Sequence, residues 1–142
     1  MAAALALGAV GAVIGTRFCA TREALIRSAA KDRLLRAKSG DTVRTNLFDE
    51  AVGIGWPAPF TGRALRNQFF DEWNGRDASL EKDETARERY RKAQQEGDFD
   101  TAVIWAGESV DLIAGLPPAG ELLRDIGRET EQELRRMARL VR

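Results

Sequence analysis

The first fifteen residues, MAAALALGAVGAVIG, carry no charged or strongly hydrogen-bonding side chain. A stretch that is apolar on every side must be buried on every side or leave water altogether. A membrane-spanning helix needs roughly 20 apolar residues, and Arg17 interrupts the run before that length is reached. A secretory signal carries basic residues ahead of its apolar stretch, and only Met1 and Ala2 precede this one. The favoured solution is a buried helix over Ala2–Leu7, a turn at Gly8, and a strand over Val10–Ile14 buried on both faces. A signal peptide remains the alternative. The change from Ala and Leu to Val and Ile supports the helix–strand solution, because alanine favours helix and β-branched residues favour strand.

The rest of the chain is ordinary in composition and specific in what it excludes. At 142 residues it has the length of one domain. With 44% hydrophobic and 31% charged residues it is neither a disordered chain nor a membrane bundle. Basic and acidic residues balance at 22 each, which gives no general attraction to nucleic acid or to acidic membranes. One cysteine excludes an internal disulfide and any CxxC site, and the absence of histidine excludes a Ser-His-Asp triad, a histidine base and His-ligated metals.

Further along, Thr21 reads as an N-cap opening a helix to about Lys38, with Glu23/Arg27 and Asp32/Arg36 at i,i+4 spacing. Thr42–Thr45 reads as a short extended piece, followed by a Gly/Pro-rich loop from Gly53 to Gly62 that carries Trp56, Pro57 and Pro59. Leu65, Phe69 and Trp73 at i, i+4, i+8 predict a helix over Arg63–Trp73. Leu80–Glu96 holds ten charged residues in seventeen, five of each sign, and reads as a solvated helix face ended by Gly97-Asp98. An apolar segment, Phe99–Trp105, leads to Gly107-Glu108-Ser109 and a short helix or turn up to Leu116. Pro117-Pro118 starts the last helix, in which Leu122, Ile126, Thr130, Leu134, Met137 and Val141 form one stripe.

Candidate chemistry is sparse. Gly15-Thr16, following the apolar run, can offer backbone N–H groups to a phosphate or can be a simple turn. Gly107-Glu108 can line a pocket, but a carboxylate capping the following turn is the simpler role. Arg63, Arg66 and Asn67, on one helix, can grip an anion or face solvent. Cys19 beside Phe18 reads as a small core residue with no neighbouring base to activate it. Unaided, these residues describe an α-rich domain with one or two buried strands.

Taken in order, AAALALGAVGAVIGTRFCATREA, DTVRTNLFDE, GRALRNQFFDEW, DTAVIWAGESVDLI and PPAGELL resemble the C-terminal part of nitronate monooxygenases, formerly called 2-nitropropane dioxygenases. The resemblance covers nearly the whole chain, least clearly at Leu80–Glu96. It implies a fold that is mainly α with one or two short strands, forming the C-terminal piece of an FMN-binding (β/α)8 barrel with a helical substrate domain. It implies that residues 1–21 are the last barrel helix and strand, 22–97 the helical substrate-domain segment, and 98–142 the barrel-closing C-terminal helices. Family members oxidise alkyl nitronates with oxygen to carbonyl compounds and nitrite, and flavin-dependent enoyl reductases are near relatives. By the same resemblance Gly15 and Thr16 fall where backbone amides hold the FMN phosphate, in keeping with phosphate sites after barrel strands 7 and 8.

The departures are as informative. A complete barrel takes roughly 250 residues, the family's catalytic base is a histidine, and this chain has none. Glu108 stands where the family usually has glutamine. No catalytic residue and no metal ligand is therefore assigned, and FMN is not expected to be retained by this chain alone. The expected setting is cytoplasmic, with a small-molecule nitronate and oxygen as the full-length partners and neither nucleic acid nor membrane. The alternative is a small helical interaction protein without enzymatic activity, self-associating through the exposed C-terminal helix.

Overall fold

The computed structural model describes residues 1–141, with side chains to Leu140, so the side chain of Val141 at the end of the predicted stripe lies outside the described residues. The chain divides into two compact units, one made of Met1–Leu25 with Gly115–Arg142, the other of Ile26–Ala114.

In the first unit, α1 spans Ala2–Ala6 and α2 spans Thr16–Cys19. The helix predicted at the start of the chain is thus present, but none of its residues is buried. The predicted strand over Val10–Ile14 does not form, and Val10 and Val13 are fully exposed. The physical reason is that a strand exists only by sharing a hydrogen-bond ladder, and among the described residues no other segment pairs with this one. The long helix α8, Ala119–Ala138, packs against α1. Pro118 is its N-cap, so the helix starts at the Pro117-Pro118 pair as expected. Glu23, predicted inside a helix, lies in irregular chain, and its carboxylate accepts the Ala119 N–H at 2.8 Å. A carboxylate at a helix N-terminus is favourably placed against the helix dipole. Thr21 is no cap either: its hydroxyl is buried and donates to the Phe18 carbonyl at 2.8 Å. On α8, Leu122 and Thr130 are buried, Ile126 and Met137 half-buried, and Leu134 exposed.

The second unit begins with α3, Ser28–Arg36, which starts seven residues after the predicted cap because Arg27 is extended (φ −60°, ψ 147°). A 3-10 turn at Ser39–Asp41 leads into β1, Thr42–Thr45, the extended piece expected from sequence. α4 follows at Leu47–Ala51, then β2 at Gly62–Leu65. The strands pair antiparallel, with Val43 opposite Ala64 and Arg44 opposite Arg63. The predicted helix over Arg63–Trp73 is therefore half wrong. Its first residues are β2, and only α5, Gln68–Trp73, is helical. After α6 (Asp77–Leu80), α7 runs from Glu84 to Glu96 between an Asp83 N-cap and Gly97 at φ 76°, the left-handed C-terminal conformation glycine allows. The charge run is a solvated face, as expected, but Ala86, Tyr90 and Ala93 form a buried stripe on the opposite side.

That stripe closes a core of Leu47, Phe48, Phe69, Phe70, Trp73, Leu80 and Tyr90. Each such side chain contributes roughly 1.5–3 kcal/mol on burial. The Tyr90 ring lies 4.8 Å from Phe69 and 6.1 Å from Phe48, centroid to centroid. Its hydroxyl is buried without a well-formed hydrogen bond among the described residues, although the Val103 backbone is near enough to act on it.

Asn67 joins this core to the chain that follows α7. Its Oδ1 accepts the Phe70 N–H at 3.0 Å, capping α5, while Nδ2 donates to the Thr101 and Ala102 carbonyls at 2.9 and 3.0 Å. Asn67→Ala should cost about 2–4 kcal/mol, the lost cap plus two carbonyls left without their donor. Asn67→Asp keeps the cap oxygen but removes the donor, and should also be strongly destabilised. Urea unfolding measures both, and a wild-type midpoint for Asn67→Asp would show that the Nδ2 bonds carry no weight.

Candidate functional site

Gly15 precedes α2 as its N-cap, and its carbonyl accepts the Phe18 and Cys19 N–H groups at 2.9 and 3.1 Å. Nothing lies within 4 Å of where a Cβ on Gly15 would stand, so the approach to this turn is open. A helix start presents N–H groups toward an anion, although α2 has only four residues and a correspondingly small dipole. Arg17 does not supplement that charge. Its Nη1 donates to the carbonyls of Ala20 and Gly115 at 3.0 and 3.1 Å. Cys19 is half-buried and unbridged.

Of the two roles open to Arg63, Arg66 and Asn67, the anion grip does not assemble. Arg63 stands on β2, where it donates to Thr42 Oγ1 at 3.1 Å and pairs with Glu108 at 3.7 Å. Arg66 pairs with Asp71 at 2.5 Å, and Asn67 is the cap described above. A hollow of about 460 Å³ beside Arg33, Arg36, Asp41, Arg66 and Asp71 mixes both signs of charge. Glu108 opens a 3-10 turn at Glu108–Leu112 but does not cap it, since Gly107 holds that position. Its carboxylate reaches across to Arg63 instead. Among the described residues no group of three His, Cys, Asp or Glu side chains could hold a metal.

The sequence did not reveal the cleft that the second unit builds around Trp105. Trp105 follows β2 in space, its backbone bridging Ala64, and its ring meets Phe48 edge-on at 6.1 Å. Gly62 makes room for that ring: a Cβ there would come within 2.9 Å of the Trp105 Cη2 and still closer to Cζ3. Asp49, Trp56, Phe60, Thr61, Gly62 and Trp105 line a cavity of about 420 Å³. Partial burial pushes the Asp49 carboxyl above its ordinary pKa, and a hydrogen bond from the Trp56 side chain opposes the shift. Glu50 is raised too, by burial and then by the charges of Asp77, Glu81 and Asp49. The only advance signal was the pairing of Trp and Pro residues in the Gly53–Gly62 loop. Asp49 and Trp105 lie outside that loop in the chain.

The comparisons with known proteins agree with this architecture. The backbone is similar to that of FabK from Thermotoga maritima, with a TM-score of 0.75 and 28% identity over 97% of this chain and 42% of that one. A family model described as nitronate monooxygenase matches residues 1–129, and the chain belongs to the nitronate monooxygenase family. It is 31% identical over 137 residues to a nitronate monooxygenase of Neurospora crassa, covering 94% of this chain and 35% of that protein. It is 35% identical over 132 residues to the nitronate monooxygenase npaC of Metarhizium robertsii, covering 87% of this chain and 36% of that one. The chain thus spans about a third of the length of these relatives. The expected mainly helical fold with one or two short strands is the fold observed, the strands being Thr42–Thr45, an expected extended piece, and Gly62–Leu65 rather than Val10–Ile14. No helix among the described residues is long and apolar enough to cross a membrane.

The raised carboxyl of Asp49 has a definite sign. A carboxyl raised in the folded state stabilises the fold at low pH, and that contribution is lost as pH rises through the folded value. Asp49→Asn should therefore be more stable than the parent at pH 7, by less than about 1 kcal/mol because the site is partly solvated. The advantage should vanish as the parent carboxyl becomes protonated. Thermal melts across pH 3–7 measure this (a range set by carboxylate pKa values), and a less stable variant at pH 7 would contradict it.

Proposed function

We propose that this chain is a C-terminal piece of an FMN-dependent oxidoreductase of nitronate monooxygenase type, converting an alkyl nitronate and oxygen to a carbonyl compound and nitrite. The observation that carries this is the family match over residues 1–129. Residues 1–21 then correspond to the last barrel helix and strand, the strand forming only where neighbouring barrel strands offer a ladder, with 22–97 as the substrate-domain segment and 98–142 as the closing helices.

In this reading Gly15 and Thr16 hold the phosphate of the flavin. The open surface at Gly15 and the helix start behind it suit an anion. Bound flavin supplies the redox chemistry, and the chain supplies position. The fit is limited to the phosphate end. Ligands of this size usually have 70–90% of their surface buried, whereas Val10 and Val13, just ahead of the turn, face solvent. No histidine is present to act as base, a role typically worth roughly 10²–10⁴ in rate, so the chain alone is inactive in this account. A cytoplasmic setting goes with this function.

Glu108 occupies the glutamine position of the family and is engaged by Arg63, so it is not assigned a flavin contact. A second reading, association through an exposed apolar surface, draws on Leu7, Val10 and Val13 in the first segment and on Leu123, Leu134 and Leu140 near the other terminus. Self-association through α8 is the form it takes.

Purification without added flavin, FMN titration and an oxygen-uptake assay with propane-2-nitronate test the enzyme reading. A colourless chain with weak FMN binding and no nitronate-dependent uptake is expected. A yellow protein with stoichiometric FMN and nitronate-dependent uptake would overturn the account and make the chain an enzyme by itself.

A further inference from the structure

The cleft around Trp105 is not used by the nitronate reading. Three large aromatic side chains surround it, and all three keep much of their surface in water: Trp56 is 55% exposed, Phe60 62% and Trp105 43%. Single exposed aromatics are ordinary, but a group of them lining one concavity marks a binding surface. Trp105 is also held in place rather than left loose, by the edge contact with Phe48 and by the space that Gly62 leaves for its ring. The volume of about 420 Å³ lies within the usual range for small-molecule sites.

Charge chooses the occupant. Asp49 is the charged residue in the lining. The cation bonded to a lining residue, Arg44, spends its Nε and Nη2 on the hydroxyl and carbonyl of Thr61, at 2.9 and 3.1 Å, rather than on Asp49. Asp49 takes a hydrogen bond from Trp56, and a carboxylate so held can accept at its remaining lone pairs. Indole and phenyl faces attract cations, and a carboxylate among them adds to the same preference. An anion would meet repulsion from both.

We propose that the cleft formed by Trp56, Phe60 and Trp105 binds an organic ammonium, its apolar body against the aromatic rings and its amine on the Asp49 carboxylate. This stands apart from the nitronate reading and survives if that reading fails.

Three probes of one shape test it: phenethylammonium, 2-phenylethanol and 3-phenylpropionate, titrated at pH 7 and followed by the tryptophan fluorescence of the chain. The ammonium should bind at least about fivefold more tightly than the alcohol, the sum of a modest cation–π and ion-pair gain, and the carboxylate should bind weakest. Asp49→Asn should bring the ammonium-to-alcohol ratio close to one and leave the alcohol where it was. Trp105→Ala, and Gly62→Ala through displacement of the ring, should weaken all three. Circular dichroism checks that each variant is folded, and Asp49→Asn keeps the test decisive if the other two are not. Equal binding of ammonium and alcohol, an unchanged ratio in Asp49→Asn, or no binding up to about 10 mM probe would overturn the proposal.

Discussion

The second unit depends on the three hydrogen bonds of one amide. Asn67 sits where β2 stops and α5 starts, and its side chain caps the helix with one end and anchors the Thr101–Ala102 carbonyls with the other. Helix, strand and return segment are thereby fixed at one buried point. Phe69, Phe70 and Trp73 are delivered to the core from one side of it, and the Ala102–Trp105 segment is laid beside β2 from the other. The Leu65 N–H then donates to the Ile104 carbonyl at 2.9 Å, and the Ala106 N–H to the Arg63 carbonyl at 3.1 Å. The cleft is a consequence of this junction. Trp105 lies beside Ala64 of β2, on a segment held at Asn67 before it and by the Leu65–Ile104 and Arg63–Ala106 bonds on either side.

Among the described residues no ladder anchors the apolar segment of the first unit. The unit is tied at Arg17, whose guanidinium donates to the Gly115 carbonyl, at Arg22, whose N–H donates to the Pro117 carbonyl, and at Glu23, which receives the Ala119 N–H. All three ties lie after Ile14. Ahead of them Leu7, Val10 and Val13 remain in water, against the hydrophobic tendency that their composition expresses. The two units therefore differ in kind. One closes a core of its own around Phe48, Phe69 and Tyr90, and the other holds a strand-forming sequence that joins no ladder among the described residues.

What could be read in the sequence divides along the same line. Elements specified by local chemistry were legible: β1 from its β-branched residues, the end of α7 from Gly97, the start of α8 from Pro117-Pro118. Arg63–Trp73 misled because Leu65, Phe69 and Trp73 satisfy a helical period, while the β2 pairing with β1 that overrides it is not local. Asn67 read as a helix residue that grips an anion or faces solvent, and its role as a cap was hidden by the misplaced helix start. Val10–Ile14 has strand composition without a strand, because pairing belongs to two segments and composition to one. Gly15 and Thr16 stood out as a turn after the apolar run and more strongly by resemblance, and the structure has an open turn at a helix start there. Asp49, Phe60 and Trp105 escaped notice because only the folded unit brings a helix, a loop and a return segment to one cleft.

Hydrogen–deuterium exchange of the 142-residue chain, resolved by residue, tests the central claim that one unit is self-sufficient and the apolar segment of the other is unpaired. Amides of β1, β2, α5 and α7, together with Phe70 under its Asn67 cap, should exchange slowly and as a group, since core elements open only with the unit as a whole. Amides over Val10–Ile14 should exchange at the rate of an unstructured chain. Protection of Val10–Ile14 equal to that of β2 would contradict the account, because it would mean that the segment is a paired strand after all.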